Sequence, residues 1–178
     1  MPNDYPQPAI YLQSGSPATE NRPADGYSGG ELGSRFTMVD KADSDRAKGW
    51  QLVQLDSTMD VAPSAGAVAY WRNRTGYIVT TDVSVAGRGN PAGVFPNAPT
   101  YDYICCVQQQ GRALVQLQTS PTAVPDDTGK IVIPSATDAK ADVLAAGTAA
   151  SYPALGVSVG ASVSGQPFAV DLQLDGRP

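Results

Sequence analysis

From Arg35 onward the chain is punctuated at short, regular intervals. Apolar runs of five to nine residues alternate with clusters of Gly, Pro, Asn or Asp. Runs of that length with two-residue alternation are strand signals, and their even spacing predicts an all-β sandwich or barrel. The composition agrees with many turns and few helices. The 178 residues include 18 glycines and 15 prolines, and charged residues are 16 %, below the usual quarter for soluble domains. Long helices would need more Leu, Glu and Lys than are present. The expected fold is all-β: a compact sandwich or barrel of short antiparallel strands with an extended N-terminal arm.

The strands can be placed by their alternation. Residues 36–39 and 50–55 open the series, and 66–72 follow. Tyr77, Val79, Thr81, Val83 and Val85 form a β-branched run. Residues 129–133 give a short strand entered by the turn Pro125–Gly129. Leu155, Val157, Val159 and Val163 alternate with small residues, and Phe168, Val170, Leu172 and Leu174 with Ala169, Asp171, Gln173 and Asp175. The clearest unit spans 101–119 and reads as a β-hairpin turning at Gln110-Gly111, since Gly supplies the positive φ of a tight turn. Ala113, Val115 and Leu117 would face in, and Arg112, Gln116 and Gln118 out. Only Asp138–Ala146 has helical character, with Thr137 as cap and Gly147 as stop.

Residues 1–34 are unlike the rest and mark an arm ahead of a β-rich domain over 35–178. They hold Pro2, Pro6, Pro8, Pro17 and Pro23, a Gly-rich end (Gly26, Gly29, Gly30, Gly33), and one Arg against Asp4, Glu20, Asp25 and Glu31. No period of 2 or 3.6 persists, so little independent structure is expected. Yet the arm carries Tyr5, Ile10, Tyr11, Leu12 and Tyr27, which a solvated tail does not need. These five are the candidate partner-binding residues, able to bury their side chains on another surface.

Several chemistries are disfavoured. With a net charge of −5 and no Lys/Arg stripe, nucleic acid is not an expected partner. No stretch approaches the ~20 apolar residues of a membrane-spanning helix, so no membrane is expected either. The start, MPNDYPQPAIYLQ, lacks the charged and apolar regions of a secretory signal, which suggests synthesis in a cytoplasm. The chain has no His, hence no Ser-His-Asp or Cys-His arrangement and none of the commonest metal ligand.

Cys105 and Cys106 are adjacent, too close for an ordinary disulfide. They read as buried thiols pointing to opposite faces of a strand. The only glutamates, Glu20 and Glu31, lie in the arm, a poor platform for paired carboxylates. Asp126-Asp127 reads as turn chemistry. Asp40, Asp43 and Asp45 resemble the start of a calcium loop but lack its central Gly and closing Glu. Gly87-Arg-Gly89 is not followed by the Lys-Ser/Thr of a phosphate loop. The expectation is a non-enzyme with no cofactor and no metal.

Four segments, in order, resemble the capsid decoration (cement) proteins of tailed phages. They are Arg74-Thr-Gly-Tyr-Ile-Val-Thr-Thr81, Asn90-Pro-Ala-Gly-Val-Phe95, Tyr103-Ile-Cys-Cys-Val-Gln-Gln-Gln-Gly-Arg-Ala-Leu-Val115 and Ala154-Leu-Gly-Val-Ser-Val159. In that family a short A-G-V strand precedes a V-Q-x-x-G hairpin, and a G-V-A-like strand closes the domain. The resemblance covers roughly residues 35–175. It implies a structural virion protein on the outer capsid surface, made in the host cytoplasm. Such a protein stabilises the shell by bridging major capsid protein subunits, often as a homotrimer. The competing reading is a head-fibre or tail-associated carbohydrate- or host-binding β-module. That role would need Trp50 or Trp71 exposed on a groove, whereas their apolar neighbours favour the core.

Overall fold

The computed structural model describes Pro17 and residues 21–23, 32–40, 46–123, 128–161, 163 and 165–174. In chain order the elements are β1 (Asn21–Pro23), β2 (Arg35–Asp40), β3 (Arg46–Leu55), β4 (Val68–Asn73), β5 (Ile78–Thr80), α1 (Val83–Ala86) and β6 (Pro91–Val94). They continue with β7 (Tyr103–Gln116), β8 (Thr128–Pro134), β9 (Ala141–Val143), β10 (Gly156–Val159) and β11 (Pro167–Gln173). The all-β expectation holds.

All the strands belong to one hydrogen-bonded sheet, and that sheet closes on itself twice. In the first ring β3 pairs with β5, β5 with β4, β4 with β6, β6 with β7, and β7 again with β3. In the second, β7 pairs with β11, β11 with β10, β10 with β8, and β8 with β9. A parallel bridge from Leu117 to Ala141 returns this path to the end of β7, and the Gln118 N–H donates to the Ala141 carbonyl at 3.0 Å. The result is two small five-stranded barrels sharing one long strand. Of the two alternatives that alternation leaves open, sandwich or barrel, the pairing corresponds to barrels. The strands are mostly antiparallel, β3–β5 being a parallel pair.

Each barrel is filled by every second residue of its strands, as the pleat requires. Val53 and Leu55, Ala69 and Trp71, Val79, Ala92, and Cys105 and Val107 form the first core, with Phe95 beside them. Ala113, Val115, Leu117, Val132, Val143, Phe168, Val170 and Leu172 are among those that fill the second. The opposite faces of β4 and β6 also join this second cluster, through Val68, Tyr70 and Val94, so the two cores meet across the first barrel's wall. A third cluster (Trp50, Leu52, Ile104 and Cys106) lies on the outer face of β3 and β7, under Leu32 and Phe36. The two cysteines therefore point to opposite sides, and both are buried thiols, as their adjacency implies.

Three sequence expectations need correction. The 101–119 segment is not a hairpin: β7 runs through Gln110-Gly111 without reversing. Each half has its partner far away in sequence, Gly49–Gln54 of β3 for 104–110 and β11 for 110–116. Gly111, at φ +81°, bends the strand where it passes from one barrel to the other. Asp138–Ala146 is not helical either. Ala139 has φ +61°, which no helix accommodates, and Ala141–Val143 pair with β8 instead.

The β-branched run from Tyr77 ends as a strand at Thr80 and becomes the helical turn Val83–Ala86. The reason is the Asp82 side chain, whose Oδ1 accepts from the Ser84 and Val85 N–H groups at 2.7 and 3.2 Å. Capping of this kind outweighs the β preference of Val83 and Val85. Asp138 assists by accepting from the Val83 N–H at 2.8 Å. In the turn expected over Pro125–Gly129, residues 125–127 lie outside the described residues.

Candidate binding surface

Where the two barrels meet, the outer face of β7 forms the floor of a groove of about 630 Å³. Gln108, Arg112, Leu114 and Gln116 lie along it, with Lys48 and Trp50 of β3 on one side. Val94, Phe95 and Pro96 and the residues Pro167 and Ala169 of β11 complete the walls. The floor is rigid because its amides are already engaged. Gln108 Nε2 donates to the carbonyls of Gln110 and Arg112, at 3.0 and 2.9 Å, bracing the bend at Gly111. Gln116 Nε2 donates to the Ala65 carbonyl at 3.0 Å.

Two features mark this floor. Leu114 is 64 % exposed in the middle of it. Arg112 lies beside it, and its Nε is buried with no hydrogen-bond partner, a costly state for part of a charged group. Among the described lining residues there is no carboxylate, hydroxyl or thiol. Such a surface can hold an extended apolar chain of neutral or acidic character; its residues are poorly suited to acid–base or nucleophilic work.

The acidic side chains elsewhere serve the fold. Asp56 receives hydrogen bonds from Arg72, with which it also forms an ion pair, and from the N–H and Oγ of Thr58, both at 3.0 Å. Burial alone would raise its carboxyl pKa, but the Arg72 and Thr58 hydrogen bonds and the Arg72 charge outweigh it, and the net shift is downward. A lowered folded-state pKa contributes stability above the unfolded value, near 3.9, and loses it as pH falls through the folded one. Asp56→Asn is therefore expected to cost about 1–2 kcal/mol at pH 7, discounted for a half-exposed Arg72. Urea midpoints should show that gap narrowing at pH 3; a gap independent of pH would refute the assignment. Asp82 is lowered as well, by the Ser84 hydroxyl first, against burial, and then by the cap N–H groups. Burial pushes the Tyr70 hydroxyl up.

The five residues expected to bind a partner, Tyr5, Ile10, Tyr11, Leu12 and Tyr27, lie outside the described residues, as do Glu20, Glu31, Asp43, Asp45, Asp126 and Asp127. Trp50 and Trp71 are each 6 % exposed and belong to the core. Among the described residues no three His, Cys, Asp or Glu side chains gather as a metal site, and no helix is long and apolar enough to cross a membrane. Sequence reasoning missed the groove. Its signal was Leu114, an apolar side chain in register with the outward Arg112, Gln116 and Gln118. Compared with known proteins, the chain matches no family model and no curated protein sequence.

Proposed function

We propose that this protein is a capsid decoration protein. It binds the outer surface of a tailed-phage capsid and braces the shell by bridging major capsid protein subunits, associating with itself as a homotrimer. The observation that carries the reading is the nature of the groove on β7. It is a rigid, apolar groove with two cations and no acid, hydroxyl or thiol among its described lining residues, suited to holding polypeptide. Two barrels locked through one strand suit a bracket that must keep its shape under load, because both contribute to one continuous sheet.

Three of the segments carrying the resemblance contain the strands β5, β6 and β10, and the fourth is β7. The V-Q-x-x-G element departs from the family pattern, since here it is a continuous strand. The carbohydrate-binding alternative is less well supported, because Trp71 is buried in the first core and Trp50, although it lines the groove, is only 6 % exposed.

The test is binding to expanded shells compared with unassembled capsid subunits. Shells should be bound and free subunits should not; equal binding to both would argue against bridging. Deleting residues 1–16, which spares Pro17 and β1, should lower shell occupancy about tenfold, equivalent to losing about 1.4 kcal/mol of contact, with the circular dichroism of the body retained. Unchanged occupancy would show that the arm contributes nothing to retention.

A further inference from the structure

We infer that, in the free molecule, the groove on β7 holds the chain's own N-terminal segment, residues 1–16. Three observations point there. The first is direction. β1 runs antiparallel to β7, with Pro23 opposite Tyr103 and Asn21 opposite Cys105, so β1, followed toward its N-terminal end, points along β7 toward Gln108. In the plane of the sheet that place is taken, because Val94 of β6 pairs with Gln108. Inside the barrel, Val53, Phe95, Cys105 and Val107 are all fully or almost fully buried, leaving no room. The open route is over the outer face, where Gln108 and Val94 form the near end of the groove. Pro17, four residues ahead of β1, is itself buried, so the chain is still against the body at that point.

The second observation is length. Between Gln108 and Gln116 the floor spans about 26 Å at ~3.3 Å per strand residue, and an extended 16-residue segment reaches about 50 Å. The third is chemistry. Residues 1–16 carry Asp4 and no Lys or Arg, opposite Lys48 and Arg112. Ile10, Tyr11 and Leu12 offer the apolar side chains that exposed Leu114 lacks. The ring of each proline at positions 2, 6 and 8 fixes φ there, which lowers the entropy lost on docking. Parking these residues shelters an apolar strip until a partner displaces it. The inference goes beyond the capsid reading and does not depend on it, because its test contains no capsid.

The experiment is chymotrypsin cleavage after Tyr11 in the full-length protein, with Leu114→Asp and Arg112→Gln as variants. Docking should make wild-type cleavage about tenfold slower than in Leu114→Asp, since cleavage requires the open form. Arg112→Gln should fall between them, and the wild-type rate should be independent of protein concentration. Both variants alter side chains outside the barrel interiors, and unchanged circular dichroism confirms that the body stays folded. Equal cleavage in all three proteins overturns the inference. Protection that grows with concentration also overturns it, assigning the groove to the segment of a second copy.

Discussion

Replacing Gly156 with alanine is expected to destabilise the protein by about 3 kcal/mol or more, among the larger costs a single methyl can impose. Gly156 lies in β10 between Val132 of β8 and Leu172 of β11. A Cβ built there would collide with the Asp171 carbonyl oxygen and stand 2.8 Å from its carbon and 2.9 Å from the Leu172 Cα. All three are backbone atoms, so no rotamer change relieves the clash, and β10 and β11 must part. Gly160→Ala is the control, because nothing lies within 4 Å of its Cβ position; it should change stability by less than about 0.5 kcal/mol.

The measurement also tests whether the two barrels unfold together. Gly156 belongs to the second barrel, whereas Trp71 fills the first and Trp50 lies on the first barrel's outer face. If β7 makes one cooperative unit, the urea midpoint followed by tryptophan emission should fall as far as that followed by amide exchange in β8 and β9. An unmoved tryptophan midpoint, with exchange in β8 and β9 accelerated, would show two independent units and contradict the shared-strand view.

How far the fold could be read from residues depended on whether each strand meets solvent on one side. Phe168, Val170, Leu172 and Leu174 alternate with polar or small neighbours because one face of β11 is buried and the other is not. β8 and β10 were placed in the same way, whereas β4, buried on both faces from Val68 to Trp71, shows as a continuous apolar run. In the first half of β7 the alternation fails as a guide: Ile104 through Gln109 are all buried, since this stretch has a core on each side. A glycine in the middle of such a run then imitates a turn.

The helical turn at Val83–Ala86 was hidden because its stability comes from one capping carboxylate, Asp82, and a second supplied by Asp138 from 55 residues away. No local pattern reports a contact of that range. The groove was hidden for the same reason, since Lys48, Val94, Arg112 and Pro167 converge only once both rings have closed. The three residues of β1 fall within the 1–34 arm, yet they are hydrogen-bonded to β7. Nothing in the composition of Asn21-Arg-Pro23 announces a strand.

The bend in β7 supplies the other large effect, and it separates a turn from a kinked strand. In a hairpin turn Gly111→Asn would be nearly harmless, because Asn tolerates positive φ better than other side chains. In the bent strand, the Cβ position of Gly111 lies 2.7 Å from the Ala47 carbonyl oxygen and 3.4 Å from the Lys48 Cα, so β3 blocks any side chain there. Gly111→Asn is therefore expected to cost about 2–3 kcal/mol from this clash alone. Gly111→Val should cost more, since a β-branched residue at φ +81° adds backbone strain of about 1–3 kcal/mol. Gly147 has a similar φ of +77° with nothing within 4 Å of its Cβ position, so Gly147→Asn should stay within about 1 kcal/mol of wild type. Urea denaturation of the three variants decides the matter. If Gly111→Asn proves as mild as Gly147→Asn, β3 does not pack against the bend, and the passage of one strand through both barrels is wrong.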